Sequence, residues 1–172
     1  MIPLEVALSY DRIADRWNDE AFPRTNGIHQ HERAIAFLKQ KRHALDIGCG
    51  CSGRIIDLLL REGFDAEGLD ISSRMIQLAR QRHPAVTFHH ADVCEWEPRK
   101  EYDFISAWDS IWHVPLAAQE PVMRKILHAL APGGIFIFTT GGLDAPSEKV
   151  DAEMGPKIYY SDLGMPRMLA LL

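Results

Sequence analysis

The sequence predicts an α/β fold in which a doubly wound, mostly parallel sheet carries helices on both faces. Short apolar stretches of strand length alternate with stretches of helix length, and this alternation requires right-handed crossovers between parallel strands. A glycine-rich turn at 48–53 directly follows the first apolar stretch, and the stretch 135–139 is apolar enough for a strand buried on both faces. Ligands of such sheets bind beyond the carboxyl ends of the strands.

Local signals place the elements in order along the chain. Apolar periodicity and capping residues predict helices over 4–17, 28–41, 53–62, from Ser72 or Ser73 to about Arg82, and over 117–130. Apolar runs between turn signals predict strands at 44–47, 66–69, 86–90, 102–107 and 135–139. Gly63 is expected to end the third helix, and Pro132-Gly-Gly134 the last one.

Length and composition bound the class of protein. The 172 residues, 47% hydrophobic and 25% charged, predict a single globular domain. A net charge of −5 disfavours nucleic acid as the main partner. No apolar run reaches membrane-spanning length, and the first residues do not resemble a signal sequence, so we expect a cytoplasmic protein without a membrane partner. Three cysteines without disulfide or zinc-like spacing agree with that compartment and predict no metal site.

The stretch Leu45-Asp-Ile-Gly-Cys-Gly-Cys-Ser-Gly53, followed by Gly68-Leu-Asp70, is the strongest functional signal. Glycines let the backbone turn sharply and approach a ligand, because no Cβ stands in the way. The carboxylate of Asp70, at the end of the next strand, is placed to accept hydrogen bonds from a ribose diol. The pair predicts a cofactor that contains adenosine.

The type of cofactor rests on the acids around this loop. Gly48-x-Gly50-x-x-Gly53 matches the dinucleotide fingerprint, which alone would favour an NAD(P)-dependent oxidoreductase. Asp46 would repel a pyrophosphate at that position but suits a cofactor with ammonium and sulfonium charges. Asp92, after the third strand, can accept from an adenine amino group in either class of enzyme. Neither Tyr159 nor Tyr160 is followed by the lysine of a Tyr-x-x-x-Lys pair, so the oxidoreductase lacks its catalytic residues.

Five motifs in family order together resemble a class I, Rossmann-like S-adenosylmethionine-dependent methyltransferase. The resemblance covers roughly residues 30–140. The motifs are Leu45-Asp-Ile-Gly-Cys-Gly50, Gly68-Leu-Asp-Ile-Ser72, His90-Ala-Asp-Val93, Tyr102-Asp-Phe-Ile-Ser-Ala107 and Leu130-Ala-Pro-Gly-Gly-Ile-Phe-Ile-Phe138.

The resemblance implies a cofactor, S-adenosylmethionine, and a set of residues around it. Asp46, Gly48 and Gly50 would line the methionine moiety, Asp70 the ribose, Asp92 with Val93 the adenine, and Ala107 with Trp108 the sulfonium; Cys49 and Ile71 complete the set. We accordingly divide the domain into an N-terminal helical lid (1–27), a cofactor-binding core (28–140) and an acceptor-side loop with a partial C-terminal helix (141–172).

Two features depart from the family pattern. Ser52 stands where the family has its last loop glycine, so either Ser52 replaces that glycine or the loop carries one extra residue. The antiparallel strands that close the family's sheet are not evident in 141–172. We therefore expect a chain that is part of a longer protein, or a partner such as a second copy that covers the exposed sheet edge.

Candidates for the acceptor side follow the fourth strand and the first helix. His113 is the candidate general base, needed only if the acceptor must lose a proton. Trp112, Tyr10 and Trp17 are candidate acceptor contacts, although core packing accounts equally for the tryptophans. The sequence predicts in-line methyl transfer to a small molecule, because no Asn/Asp-Pro-Pro-Tyr/Phe motif follows the fourth strand. The alternatives are an NAD(P)-dependent oxidoreductase and a non-catalytic S-adenosylmethionine-binding module.

Overall fold

A computed structural model describes residues 2–172 and contains a five-stranded parallel sheet with strand order β3-β2-β1-β4-β5. Its strands are β1 (His43–Ile47), β2 (Asp65–Asp70), β3 (Thr87–His90), β4 (Tyr102–Ala107) and β5 (Leu130–Phe138). The helices are α1 (Pro3–Ile13), α2 (Asp15–Asn18), α3 (Ile28–Ile35), α4 (Arg54–Arg61), α5 (Ser73–Arg82), α6 (Leu116–His128) and α7 (Met165–Leu171). The predicted doubly wound α/β fold is confirmed.

Two apolar clusters pack on the sheet. One contains Leu58, Leu59 and Phe104 with residues of α4 and α5, and the other contains Ile105 and Met123 with residues of α6. Strand β4, which lies between β1 and β5, is buried at every position, as expected for a parallel strand covered on both faces. This packing fixes the strand ends at which the glycine turn and the acidic residues lie.

The predicted helix bounds hold best where a side chain caps the helix. Ser72 accepts a hydrogen bond from the backbone N–H of Met75 and starts α5 as predicted. The predicted single helix over 4–17 is divided at Ala14, whose carbonyl oxygen accepts from the thiol of Cys51 at 3.4 Å. The helix predicted over 28–41 ends at Ile35, because the chain tightens into i→i−3 hydrogen bonds there.

Two expectations about the C-terminal third are wrong. The stretch 135–139 is not buried on both faces: β5 lies at the edge of the sheet, and residues 134–138 are only half-buried. The segment 141–172 is not a loop up to its helix, because it forms an antiparallel hairpin of β6 (Ser147–Asp151) and β7 (Ile158–Asp162). This hairpin is a separate two-stranded sheet and does not extend β5.

Hydrogen bonds join the N-terminal helices to the hairpin on one side and to α5 on the other. The hydroxyl of Ser9 donates to the carbonyl of Lys157 at 2.7 Å, and Arg16 donates to the carbonyl of Met154 at 2.8 Å. On the opposite side Asp11 accepts from the backbone N–H of Arg74 at 2.9 Å, at the start of α5. Both segments therefore lie over the carboxyl edge of the sheet. None of the helices in residues 2–172 combines the length and apolar character that crossing a membrane requires.

Candidate active site

A cavity of about 390 Å³ lies at the carboxyl edge of the sheet, roofed by α1, α2 and the hairpin. Its volume falls within the range of small-molecule pockets. The predicted site residues on its wall are Tyr10, Trp17, Asp46, Gly48, Cys49, Gly50, Asp70, Ile71, Asp92, Val93, Trp108, Trp112 and His113. The remaining predicted residue, Ala107, is fully buried in the core and does not reach the wall.

The backbone N–H groups of the glycine loop donate within the chain. Gly48 and Cys49 both donate to the carbonyl of Leu69, at 2.7 and 3.1 Å. Gly50 donates to Oδ2 of Asp70 at 2.8 Å. A pyrophosphate bound at such a loop needs these amides as its donors. The amides of residues 48–50 are therefore already used within the chain and do not point at an anion.

Gly48 is required by both conformation and space. Its φ of +69° lies in the left-handed region, which is costly for residues with a Cβ. A Cβ at this position would lie 2.2 Å from Cβ of Ser110. Ser110 cannot easily move away, because its hydroxyl donates to the carbonyl of Ile47 at 2.7 Å. The glycine loop and the segment after β4 can thus lie this close together because Gly48 has no side chain.

Asp70 closes the end of β2 and faces the loop. Besides the N–H of Gly50, its carboxylate accepts from the N–H of Ser72 at 2.8 Å through Oδ1. Burial raises the pKa of Asp70, while these two backbone donors lower it. Each carboxylate oxygen has two lone pairs, so the group can accept further hydrogen bonds from a ligand.

Asp92 lies beyond β3, on the other side of Asp70 from the loop. Its Oδ1 accepts from the N–H of Cys94 at 2.8 Å, which orders the turn that carries it. Val93 is half-buried beside it and lines the same cavity. A carboxylate next to an apolar side chain at this place offers an acceptor beside a surface on which a flat ring can lie.

Asp46 is 3% exposed, and burial raises its pKa to about 7, against the opposing effects of Ser106 and Arg54. Ser106 in turn lies 3.0 Å from Nε2 of His31, and Nδ1 of His31 lies 2.7 Å from the carbonyl of Gly27. His31 donates to Gly27 through Nδ1, so Nε2 is the nitrogen that accepts from the hydroxyl of Ser106. These hydrogen bonds join Ser106 on β4 to the N-terminus of α3.

His113 lies in the 3₁₀ turn Ile111–His113 and is held by three hydrogen bonds. Its Nδ1 donates to the carbonyl of Tyr159 at 2.8 Å, so Nε2 is the accepting nitrogen. The hydroxyl of Tyr10 lies 2.7 Å from Nε2, and the indole N–H of Trp112 donates to it at 3.1 Å. Burial lowers the pKa of His113 to about 4, so the imidazole is neutral near pH 7. The lone pair of the predicted base is thus shared with Tyr10, whose own pKa burial raises.

Trp108 contacts the start of α3 as well as the cavity. A Cβ on Gly27 would lie 2.7 Å from its indole nitrogen, so the ring packs directly on this glycine. The ring also makes an edge contact with His31, with centroids 5.1 Å apart. Trp108 therefore anchors α3 in addition to lining the cavity wall.

Several wall residues were not predicted from the sequence. They are Phe22, Asn26, Arg54, Asp109, Met154 and Tyr160. Met154 and Tyr160 belong to the hairpin. The sequence signal that could have revealed this hairpin is the turn dipeptide Gly155-Pro156, which lies between its two short strands. Arg54 and Asp109 directly follow the glycine loop and Trp108, so their position beside these motifs was the available sign, whereas Phe22 and Asn26 come from a segment with no motif.

A parallel sheet with carboxyl groups at successive strand ends and a glycine loop after its first strand defines an α/β domain that binds a nucleoside cofactor. Residues 20–164 match the family described as "Methyltransferase domain", and the chain belongs to this family. Membership confirms the methyltransferase class predicted from the sequence. It agrees with S-adenosylmethionine, and not NAD(P), as the cofactor.

Curated relatives carry methyl-transfer and related names. The chain is 34% identical over 124 residues to trans-aconitate 2-methyltransferase of an Acidovorax species, a match that covers 70% of this chain and 47% of the relative. It is 28% identical over 149 residues to carboxy-S-adenosyl-L-methionine synthase of a Nitratiruptor species, covering 80% and 62%. The chain spans about half the length of the trans-aconitate 2-methyltransferases it matches.

Solved structures share the fold at low identity. The CcbJ methyltransferase from Streptomyces caelestis superposes with a TM-score of 0.69 at 18% identity, covering 97% of this chain and 85% of the other. The DhpI–SAM–HEP complex superposes with a TM-score of 0.67 at 20% identity, covering 98% and 88%. At these identities the likeness establishes the fold alone.

Proposed function

We propose that this chain binds S-adenosylmethionine in one half of the cavity and transfers its methyl group to a small molecule held in the other half. The observation that carries the proposal is the combination of three loop amides, at residues 48–50, that are used within the chain and three carboxyl groups around the same space. A pyrophosphate would meet the negative charges of Asp46, Asp70 and Asp92 there without these three N–H donors. A cofactor with ammonium and sulfonium charges fits these three carboxyl groups.

The cofactor half consists of Asp46, residues 48–50, Asp70 with Ile71, and Asp92 with Val93. Asp70 would accept from the ribose hydroxyls with the lone pairs that its backbone donors leave available. Asp92 would accept from the adenine amino group, and Val93 would contact the ring. Asp46 and the loop would face the methionine moiety. When bound, S-adenosylmethionine supplies an activated methyl group on a good leaving group.

The acceptor half consists of Tyr10, Trp17, Phe22, Trp112, His113 and Tyr160. For an in-line displacement the chain contributes mainly orientation and exclusion of water. Tyr10 donates through its hydroxyl to Nε2 of His113, so the phenol oxygen would be oriented to accept a hydrogen bond from the reacting group of the acceptor. This gives the pair a positioning function, because the lowered pKa of His113 makes its imidazole a weak base.

Labelled-methyl transfer tests the proposal. The chain is incubated with methyl-labelled S-adenosylmethionine and a fractionated metabolite extract, and label is followed in the small-molecule, protein and nucleic-acid fractions. We expect label in a small-molecule fraction. Label only in a macromolecular fraction would overturn the acceptor class, and S-adenosylhomocysteine binding without any transfer would indicate a non-catalytic binding module.

A further inference from the structure

The acceptor half is lined by a continuous series of rings, which we term the aromatic wall. Adjacent ring centroids are 6.0 Å (Phe22–Trp17), 5.8 Å (Trp17–Tyr10), 5.2 Å (Tyr10–His113), 5.0 Å (His113–Tyr160) and 6.3 Å (His113–Trp112) apart. The rings come from α1, α2, the segment after α2, the 3₁₀ turn and β7. Elements distant in the sequence therefore build one aromatic surface.

The charges on the same cavity are mostly negative. Within residues 2–172, the lining includes four aspartates, Asp46, Asp70, Asp92 and Asp109, and one arginine, Arg54. The guanidinium of Arg54 lies 3.1 Å from Oδ2 of Asp109 and its side chain is only 12% exposed. The same carboxylate oxygen accepts from Asn26 at 2.8 Å. The arginine of the cavity lining is therefore already paired.

This arrangement is unfavourable for an acceptor that carries carboxylates. Carboxylates bind tightly where arginine or lysine offers charge-assisted hydrogen bonds, and the carboxylate of Asp109 offsets the positive charge of Arg54. The neutral imidazole of His113 adds no positive charge. A cation, in contrast, is attracted by the faces of aromatic rings and by the surrounding carboxyl groups.

From the aromatic wall and the paired arginine we infer that the methyl acceptor is an amine carried on an apolar or aromatic body, and not a carboxylic acid. The inference rests on the proposed function and specifies its substrate class. The amine would lie against the rings of Trp17 and Phe22, because the ring of Tyr160 already has Nζ of Lys149 at 5.0 Å from its centroid. The carboxylic acceptor named for the trans-aconitate relatives is then not the acceptor of this chain.

The chemistry of an amine uses the Tyr10–His113 pair. A protonated amine must first lose one proton to solvent, and the phenol oxygen of Tyr10, which donates its own proton to Nε2 of His113, can then accept a hydrogen bond from a remaining amine N–H. The amine lone pair then forms the C–N bond as the C–S bond breaks, and the C–S electron pair stays on sulfur. Overall, an ammonium and the sulfonium give a methylammonium, S-adenosylhomocysteine and one proton that leaves to solvent.

Binding of two probes of similar shape and opposite charge tests the inference without turnover. Calorimetry and tryptophan fluorescence compare 2-phenylethylamine with 3-phenylpropanoate, both titrated into the full chain with and without saturating S-adenosylhomocysteine. We expect the amine to bind roughly tenfold more tightly than the acid, as a cation on desolvated rings would. Equal binding, tighter binding of the acid, or binding of neither probe would overturn the inference.

Two variants localise the effect. Trp17→Leu removes a ring and should reduce the amine preference, while the control Trp17→Phe should retain most of it. Asp109→Asn releases Arg54 and should shift the preference toward the acid, and asparagine tolerates the φ of +56° at that position. A preference unchanged in both Trp17→Leu and Asp109→Asn would contradict the assignment. S-adenosylhomocysteine binding without an amine preference would leave the proposed function standing, whereas absence of that binding would remove the function itself.

Discussion

The two halves of the cavity are built in different ways. The cofactor half uses backbone geometry and carboxyl groups at the ends of neighbouring parallel strands, where the register places Asp46 beside Gly68 and Asp70 beside His90. The acceptor half uses side-chain rings from segments far apart in the chain, held together by a few hydrogen bonds. Consequently the cofactor half tolerates little change of backbone, whereas the acceptor half can change its ligand by changing rings.

The largest effect is expected at Gly48, where the close approach of two segments leaves no space for a Cβ. Gly48→Ala should lower the free energy of unfolding by about 2–4 kcal/mol, because left-handed strain adds to a clash with the fixed Ser110. Urea unfolding measures it. Gly50→Ala is the matched control: it has a similar positive φ, but its Cβ would meet only Met75 Sδ at 3.9 Å, so about 1–2 kcal/mol is expected. Equal losses would show that the approach of Ser110 does not matter.

The carboxylate of Asp70 is expected to give the next largest effect. Asp70→Ala removes an acceptor for two backbone N–H groups and, under the proposed function, for the ribose, and should weaken S-adenosylhomocysteine binding by about 1–3 kcal/mol. Titration calorimetry measures the change. The control is Asp65→Ala at the exposed, opposite end of β2, which should bind normally. If both variants bind like the unmodified chain, Asp70 does not contact the cofactor.

These two predictions concern the cofactor half, whose residues could be predicted from the sequence. The glycine spacing, Asp70 and Asp92 could be placed because each follows a strand within a short local motif, and parallel strands bring such ends together. The prediction that Ala107 lines the cavity failed because Ala107 is the last residue of β4 and is fully buried. The family resemblance supplied the cofactor's identity, and the family match agrees with it.

The acceptor half could not be predicted in the same way. Phe22 and Tyr160 reach the wall only because α2 and the hairpin pack over the sheet, and no local pattern encodes that packing. The hairpin was missed because β6 is mostly polar and exposed, without the apolar alternation typical of a strand. The burial expected of 135–139 failed because apolar character does not reveal whether a strand is central or at an edge.

On the acceptor side, the Tyr10–His113 pair is expected to affect turnover more than cofactor binding. His113→Ala should lower single-turnover methyl transfer by about tenfold to a hundredfold, since the proton of Tyr10 loses its acceptor. Tyr10→Phe should lower it similarly, and the double variant should add little because the two groups act in series. S-adenosylhomocysteine affinity should stay close to that of the unmodified chain. Unchanged turnover in both single variants would make the pair structural.

The most gradual effect is expected in the pH dependence of stability, because it is spread over the range between about pH 4 and 7. The pKa of Asp46 is raised to about 7 in the folded chain, so the folded state binds more protons than the unfolded state between about pH 4 and 7. Its contribution to stability is present at low pH and is lost as pH rises, with a slope of at most about 1.4 kcal/mol per pH unit. Asp46→Asn should remove this part of the slope. Urea unfolding at several pH values checks it, and parallel pH profiles for the two proteins would refute the assignment.

The central claim is that the carboxyl-rich half of the cavity binds S-adenosylmethionine and not a dinucleotide. Titration calorimetry of the full chain with S-adenosylhomocysteine and, separately, with NADH tests this claim directly. The arrangement of Asp70, Asp92 and the internally bonded loop amides predicts one-to-one binding of S-adenosylhomocysteine and no measurable heat with NADH. Binding of NADH without binding of S-adenosylhomocysteine would contradict it.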